Sequence, residues 1–195
     1  DSHRLYGSAI NLNHDEDIIL TFEGIRYLKS LFNKKERIEV SLINRAVCFS
    51  QSNTEVVIKK FEGIYPKLNR IIPDKLDAKT SFVVEDKQVL IDLVKEAGTV
   101  SANKKNNVIK FDIKKDKLII TSKNPEVGEF SASIDIDLVG DELEVSMNSK
   151  YMEDGLKQLE SNTIELFFIG SLRPFTIQPL AKEDELALLL PVRTY

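Results

Sequence analysis

The chain has 195 residues, of which 42% are hydrophobic and 30% charged, proportions that suit a globular protein with one or two cores. No apolar run reaches the roughly 18 residues of a membrane-spanning helix, and the N-terminus lacks the layout of a secretory signal, so we expect a cytoplasmic protein with no membrane partner. The formal charge of -4 excludes a protein that is basic overall, so any contact with nucleic acid must use a local basic face.

The first part of the chain predicts a strand, a helix and three further strands. Residues 17–22 have strand character, and residues 23–32 place apolar side chains at helical spacing, namely Ile25, Leu28 and Leu31. Three short strand-like runs follow, separated by Asn-Arg and Ser-Asn turn dipeptides, at residues 37–43, 46–51 and 54–61. Together these elements form one β-α-β-β-β unit.

The same order of elements recurs twice. The second unit has a strand, a helix and three strands at residues 80–85, 86–97, 108–113, 117–122 and 129–136. The third unit repeats them at residues 142–148, 149–159, 163–169, 175–178 and 186–192. The predicted helix starts lie about 63 residues apart, which is long enough for a complete supersecondary unit. The pattern predicts an α+β fold with the helices on one face of antiparallel sheets.

The repeat also predicts the domain organisation. Two units packed together bury both helices, so residues 74–195 make one complete domain. Residues 1–73 contain a single unit and are expected to be half of another domain, whose apolar helix face needs a cover from a further unit. Pro73, followed by a polar run, marks the boundary.

Residues that could carry catalysis or hold a metal ion form no convincing constellation. Cys48 lies in an apolar stretch, where burial in a strand is favoured over a catalytic thiol. The only histidines are His3 and His14, which gives a histidine metal site little support. Phosphate-binding glycine loops are absent from the sequence, and the alternating Asp135 and Asp137 are ordinary on a solvated strand face. We therefore expect no enzyme activity, no metal and no cofactor.

Three segments carry a resemblance to a known family. They are residues 1–5 (DSHRL), 61–73 (FEGIYPKLNRIIP) and 188–193 (LLLPVR). In this order and spacing they resemble segments of the bacterial DNA polymerase III beta subunit, the beta sliding clamp, over its middle and last domains. Ser2 stands where the family usually has Gly, and Thr194 and Tyr195 follow the usual end.

The resemblance implies a DNA clamp fold and a non-catalytic processivity factor of replication. In such a protein two full-length subunits, each with three domains, form a head-to-tail homodimer ring around double-stranded DNA without reading its sequence. DNA polymerase, the clamp loader and repair proteins dock through short linear motifs. A β-rich peptide-binding adaptor that does not encircle DNA is the alternative, and basic residues on all three predicted helices argue against it.

The resemblance places the peptide-binding groove on residues from several distant segments. These are Ser2, His3, Arg4, Leu5, Pro66, Arg70, Ile71, Tyr151, Pro174, Leu188, Leu190, Pro191, Val192 and Arg193. Apolar side chains with a few arginines suit a peptide that inserts bulky apolar residues and needs its backbone fixed. Without the resemblance, residues 188–190 would read as a core strand and Tyr151 as a helix-to-sheet packing residue.

Two further surfaces follow from the helices and the resemblance. The polar faces of the three helices carry candidate DNA-facing residues, which would meet phosphates as point charges: Arg26, Lys29, Lys87, Lys95, Lys150 and Lys157. Lysines on solvated helix faces are also ordinary. The resemblance places the dimer interface of the ring at Thr99 and Val100, together with the predicted strand at residues 129–136.

Overall fold

The computed structural model describes residues 3–9, 17–33, 35–102, 107–182 and 184–193. The chain divides into two compact units. The larger unit consists of Asp1–Asn11 and Leu68–Tyr195, and the smaller unit is Leu12–Lys67. In the described part of the chain no helix is both long enough and apolar enough to cross a membrane.

The larger unit contains two antiparallel sheets. The first sheet has the order β1-β13-β12-β11-β5-β9, formed by β1 (Arg4–Ser8), β13 (Glu185–Leu189), β12 (Phe175–Pro179), β11 (Ile164–Phe168), β5 (Thr80–Val84) and β9 (Val139–Gly140). The second sheet has the order β10-β6-β7-β8, formed by β10 (Leu143–Asn148), β6 (Val108–Ile113), β7 (Lys117–Asn124) and β8 (Gly128–Asp135). β1 is thus separated from its partner strand by almost the whole chain.

Two helices of the larger unit begin at side-chain caps. The Asp86 carboxylate accepts from the Gln88 N–H at the start of α2 (Lys87–Ser101), and the Asn148 side chain accepts from the Tyr151 N–H at the start of α3 (Ser149–Gln158). The apolar residues of each helix recur on one face, which is buried against the sheets: Leu90, Ile91, Val94 and Ala97 on α2, and Met152 and Leu156 on α3.

α2 and α3 pack against each other over the sheets. A Cβ atom added at Gly98 would lie 2.7 Å from the Ser149 Oγ and 3.0 Å from the Ser149 Cβ, so the helices are in contact at this point. The core beneath them includes side chains with almost no exposure to solvent, among them Phe82, Phe111, Ile120, Met147 and Phe168. Glycine at position 98 therefore sets the approach of the two helices.

The smaller unit contains one helix and one three-stranded sheet. Thr21 caps α1 (Phe22–Leu31), which packs on a sheet of order β2-β3-β4, formed by β2 (Glu39–Ile43), β3 (Ala46–Gln51) and β4 (Thr54–Lys59). A Cβ atom at Gly24 would lie 2.8 Å from Ile58 Cγ2, so α1 contacts the sheet through this glycine. Several apolar side chains of the unit remain exposed, including Ile25 at 41%, Leu31 at 55% and Val40 at 52%.

The predicted elements agree with the observed ones over most of the chain. The three helices and all but one of the strands of the three predicted units are present, and the α+β class is evident in the described residues. The prediction of a strand at residues 17–22 was wrong, because these residues form no β-strand. Ile19 only accepts one hydrogen bond from the Phe61 N–H, and Thr21 caps the helix instead of continuing a strand. The prediction also missed β1, which forms only through its long-range pairing with β13.

Candidate functional site

Pairing between β1 and β13 brings the first and last segments of the chain together. Arg4 pairs with Leu189 and Leu5 with Leu188 in antiparallel register. Beyond the ends of the strands, the Leu190 N–H donates to the His3 carbonyl oxygen over 3.0 Å. The backbone bonds therefore place the predicted groove residues at positions 3–5 directly beside those at positions 188–190.

The side chains of β13 alternate between the two faces of the sheet. Ala187 and Leu189 point towards α3, because a Cβ atom at Gly155 would lie 3.5 Å and 3.3 Å from their side-chain carbons. Leu188 points to the opposite face, together with its partners Leu5 on β1 and Thr176 on β12. Leu188 is only 2% exposed, so its side chain is buried and not freely accessible to a ligand.

A second cluster lies against the first turn of α3. The His3 ring centroid is 5.8 Å from that of Tyr151, and the Arg4 guanidinium lies 4.7 Å from the centre of the same ring. The Asn148 cap fixes the start of the helix, since its side chain accepts from the Tyr151 N–H over 3.1 Å. Arg4 also forms an ion pair with Asp154, one helical turn beyond Tyr151. Leu5 and Leu188 thus lie on one face of the first sheet. The charged and aromatic rim formed by His3, Arg4 and Tyr151 lies at its β1 edge, on the face towards α3.

The segment that follows β13 is tied to the second sheet. The Val192 N–H donates to the Ser146 carbonyl oxygen over 2.8 Å, which fixes the course of the chain after β13. Leu190, Pro191 and Val192 are all half-buried, and Arg193 is exposed. These residues are thus held in place while part of each side chain still faces solvent.

The remaining predicted groove residues have different settings. Arg70 and Ile71 are exposed and belong to the larger unit, at a short 3-10 turn. The segment after them crosses the outer face of the first sheet, because the Lys75 Nζ lies 5.4 Å from the Phe167 ring centroid. Pro174 directly precedes β12 and is half-buried. Ser2 lies outside the described residues, and Pro66 belongs to the smaller unit.

Three residues near the groove were not predicted. The Asn148 cap could have been found from its spacing to Tyr151 at the start of the helix. Thr176 and Asp154 are recognisable only from the fold, because their groove partners, Leu188 and Arg4, are remote in sequence or lie on another element.

The predicted DNA-facing residues lie on helix faces of mixed charge. Arg26, Lys29, Lys95 and Lys150 are exposed. Lys157 is also exposed but forms an ion pair with Glu153 on the same helix, and this hydrogen bond raises the pKa of the lysine. Exposed carboxylates interrupt the same faces, including Asp92, Glu96 and Asp154.

Lys87 differs from the other candidate lysines. Its ammonium group donates to the Leu159 carbonyl oxygen, just after the end of α3. Burial lowers the pKa of Lys87, while the Glu185 carboxylate opposes this shift. The Lys87 ammonium group therefore already has a hydrogen-bond partner within the protein, and its contact with DNA stays a prediction.

The predicted dimer interface falls at one edge of the second sheet. β8 (Gly128–Asp135) is the last strand in the order β10-β6-β7-β8, so within the described residues it has a neighbour on one side only. Near the end of α2, which packs on β8, Thr99 is exposed and Val100 is half-buried. An edge strand of this kind offers backbone groups that a second chain can pair with.

Known proteins match both the sequence and this arrangement. Residues 69–193 match the family described as DNA polymerase III beta subunit, C-terminal domain. The beta sliding clamps of Staphylococcus aureus and Streptococcus pneumoniae are 30% and 32% identical over 200 residues, covering 100% of this chain and 52% of each relative. The solved sliding clamp of Bacillus subtilis has a TM-score of 0.91 at 30% identity, again covering 100% of this chain and 52% of that one.

The predicted clamp fold is confirmed by this structural match. The fold of the described residues is that of the sliding-clamp class of proteins. The chain belongs to the DNA polymerase III beta subunit family, as predicted from the three resembling segments. It spans about half the length of the curated relatives that it matches.

Proposed function

We propose that this chain is part of a sliding clamp, the processivity factor of bacterial DNA replication. In this role the full-length protein forms a homodimer ring around double-stranded DNA in the cytoplasm. It tethers DNA polymerase, the clamp loader and repair proteins through short linear motifs. The protein performs no chemistry and takes no cofactor; it acts by enclosing DNA and by docking partners.

The joining of β1 to β13 is the observation that supports this function best. It assembles His3, Arg4 and Leu5 with Leu188 and Leu190 from the far end of the chain. A groove along this edge, with apolar side chains on the sheet and a cationic aromatic rim beside them, would suit an extended peptide with bulky apolar side chains. We further propose that Arg70, Ile71, Pro174 and the segment 191–193 complete this groove.

The mixed charge of the helix faces fits enclosure better than tight binding. Arg26, Lys29, Lys95 and Lys150 would meet phosphates as isolated point charges, while neighbouring carboxylates keep the attraction weak. A protein held on DNA by topology needs no strong attraction, and weak contacts allow sliding. The same mixed charge also suits the rival function, a peptide-binding adaptor that never meets DNA.

Retention on circular DNA separates the two functions. The full-length protein should be loaded on nicked circular DNA, and its retention should be lost when the circle is cut to a linear form. Retention that survives linearisation would indicate ordinary binding to phosphates. A protein that binds peptides but is never retained on the circle would be the adaptor.

The groove can be probed independently of DNA. A sliding clamp of Pseudomonas aeruginosa has been solved bound to griselimycin, and we propose that the same compound binds the groove of this chain. Titration of the chain with griselimycin should show saturable binding, which Leu190→Asp should remove. Binding that is unchanged in this variant would place the compound elsewhere.

A further inference from the structure

The rim of the groove contains an ion pair formed within the chain itself. Asp154 follows Tyr151 by three residues on α3, so both side chains lie on the same side of the helix. The Arg4 guanidinium contacts both of them, with its plane near the Tyr151 ring and its Nη1 donating to the Asp154 carboxylate. The guanidinium is therefore held by an aromatic ring and by a carboxylate of the same chain.

This ion pair is accessible to a ligand. The side chains of Arg4 and Asp154 are 37% and 55% exposed, so water and a docked peptide can reach both. Ion pairs with such exposure are weak, because solvent screens them. The Tyr151 contact and the β1–β13 pairing would hold Arg4 in place without Asp154.

The other charged residues proposed for the groove, Arg70 and Arg193, are cationic like Arg4. Such a rim attracts a peptide that carries a carboxylate. Asp154 presents the same chemical group to Arg4 that an acidic peptide would present. A peptide carboxylate that binds Arg4 must therefore displace Asp154 or share the guanidinium with it.

We propose that Asp154 is a competing counter-ion that sets the charge preference of the groove. It lowers the affinity of Arg4 for acidic peptides and leaves neutral peptides almost unaffected, so that apolar contacts dominate the choice of partner. This inference rests on the proposed function of the groove. Asp154 is thus a specificity-determining residue. The class of partner that it disfavours is the acidic linear peptides.

The test compares two matched sets of labelled pentapeptides on the 195-residue chain. Each peptide of the first set has two bulky apolar residues and one aspartate, and the aspartate occupies a different one of the remaining positions in each peptide. The second set has asparagine in place of the aspartate. In the Asp154→Asn variant the best aspartate peptide should bind about two- to fivefold more tightly, the size expected for an exposed ion pair, and the asparagine peptides should change much less.

Glu153→Gln is the matched control. It removes one negative charge from the adjacent position of α3, where Glu153 pairs with Lys157 and not with Arg4. A purely long-range charge effect would raise the affinity for the aspartate peptides equally in both variants, whereas competition at Arg4 would raise it only in Asp154→Asn. The gain in Asp154→Asn should also shrink at high salt, because the Arg4 guanidinium attracts the peptide carboxylate by charge.

The outcomes separate this inference from the function on which it rests. Equal effects of Asp154→Asn on both peptide sets, weaker binding of both, or the same gain in Glu153→Gln would overturn the role of Asp154 while leaving the groove intact. Absence of saturable binding by every peptide to the unaltered chain would overturn the groove assignment and this inference together.

Discussion

Leu188, Leu189 and Leu190 are adjacent in the chain but face different surroundings. Leu189 points towards α3 and is 1% exposed, as part of the core. Leu188 is buried on the opposite face beside Leu5 and Thr176, and Leu190 lies beyond the strand, half-buried, with its N–H bonded to His3. Strand alternation explains the first two positions, and the end of pairing explains the third.

Leu190 is accordingly the residue to change in a test of the groove. We predict that Leu190→Asp weakens peptide binding by about a hundredfold or more, because a carboxylate desolvated in an apolar pocket costs several kcal/mol. The fold should survive, since Leu190 is only half-buried and its backbone bond to His3 does not need the side chain. Fluorescence titration measures the binding, and circular dichroism checks the fold.

Leu180→Asp provides the control for that variant. Leu180 is exposed just after β12, at the opposite end of the strand from Phe175. The variant introduces the same charge into the same unit. It should bind peptide like the unaltered chain. Equal loss of affinity in both variants would mean that the effect is general and not specific to the groove.

At the level of elements, α2 and α3 of the larger unit are in close contact. We predict that Gly98→Val lowers the free energy of unfolding by about 1 to 3 kcal/mol, the cost of overpacking a close contact. The reason is the short approach to Ser149, where even a Cβ atom would lie 2.7 Å from the Oγ. Urea denaturation followed by circular dichroism measures the change.

Gly170→Val is the matched control, because a Cβ atom at Gly170 meets nothing within 4 Å. It should leave the unfolding midpoint almost unchanged. If Gly98→Val were as stable as this control, the two helices would be free to move apart, and the close contact would have no role in stability.

Most elements of this fold could be predicted from local patterns, and the exceptions have a common cause. The strand at residues 108–113 alternates clearly, so Ile109, Phe111 and Ile113 were recognisable as buried. β1 could not be recognised, because five residues become a strand only when β13 pairs with them. The ion pair of Arg4 with Asp154 was hidden for the same reason. Local sequence specifies periodicity, whereas contacts between distant segments depend on the finished sheet.

At the scale of the whole molecule, the smaller unit presents an apolar surface that its own sheet does not cover. Ile25 and Leu31 on the helix face were expected to need a cover, and they are exposed in the chain together with Val40 on β2. Full burial of such a side chain is worth about 1.5 to 3 kcal/mol, and these half-exposed side chains forgo part of that. We predict that the 195-residue chain, studied on its own, forms a two-fold dimer through this surface.

Light scattering measures this association. The combined variant Ile25→Lys and Val40→Glu should be monomeric, because charged side chains oppose burial of the surface. As a control, Val127→Lys changes an exposed residue of the larger unit and should leave the dimer intact. A monodisperse monomer of 22.2 kDa for the unaltered chain would contradict the prediction.

The proposed ring of the full-length protein is predicted to close through a different surface, the edge of the second sheet at β8 with the end of α2. In the full-length protein we predict that Val100→Asp yields monomers, because the half-buried Val100 would carry an unpaired carboxylate into the joint. Analytical ultracentrifugation should show that the dimer dissociation constant rises by about a hundredfold or more. Val89→Asp adds the same charge to an exposed position near the start of α2 and should leave the dimer unchanged. A dimer that withstands Val100→Asp would refute the placement of the joint, whereas monomers from both variants would show that added negative charge alone opens the ring.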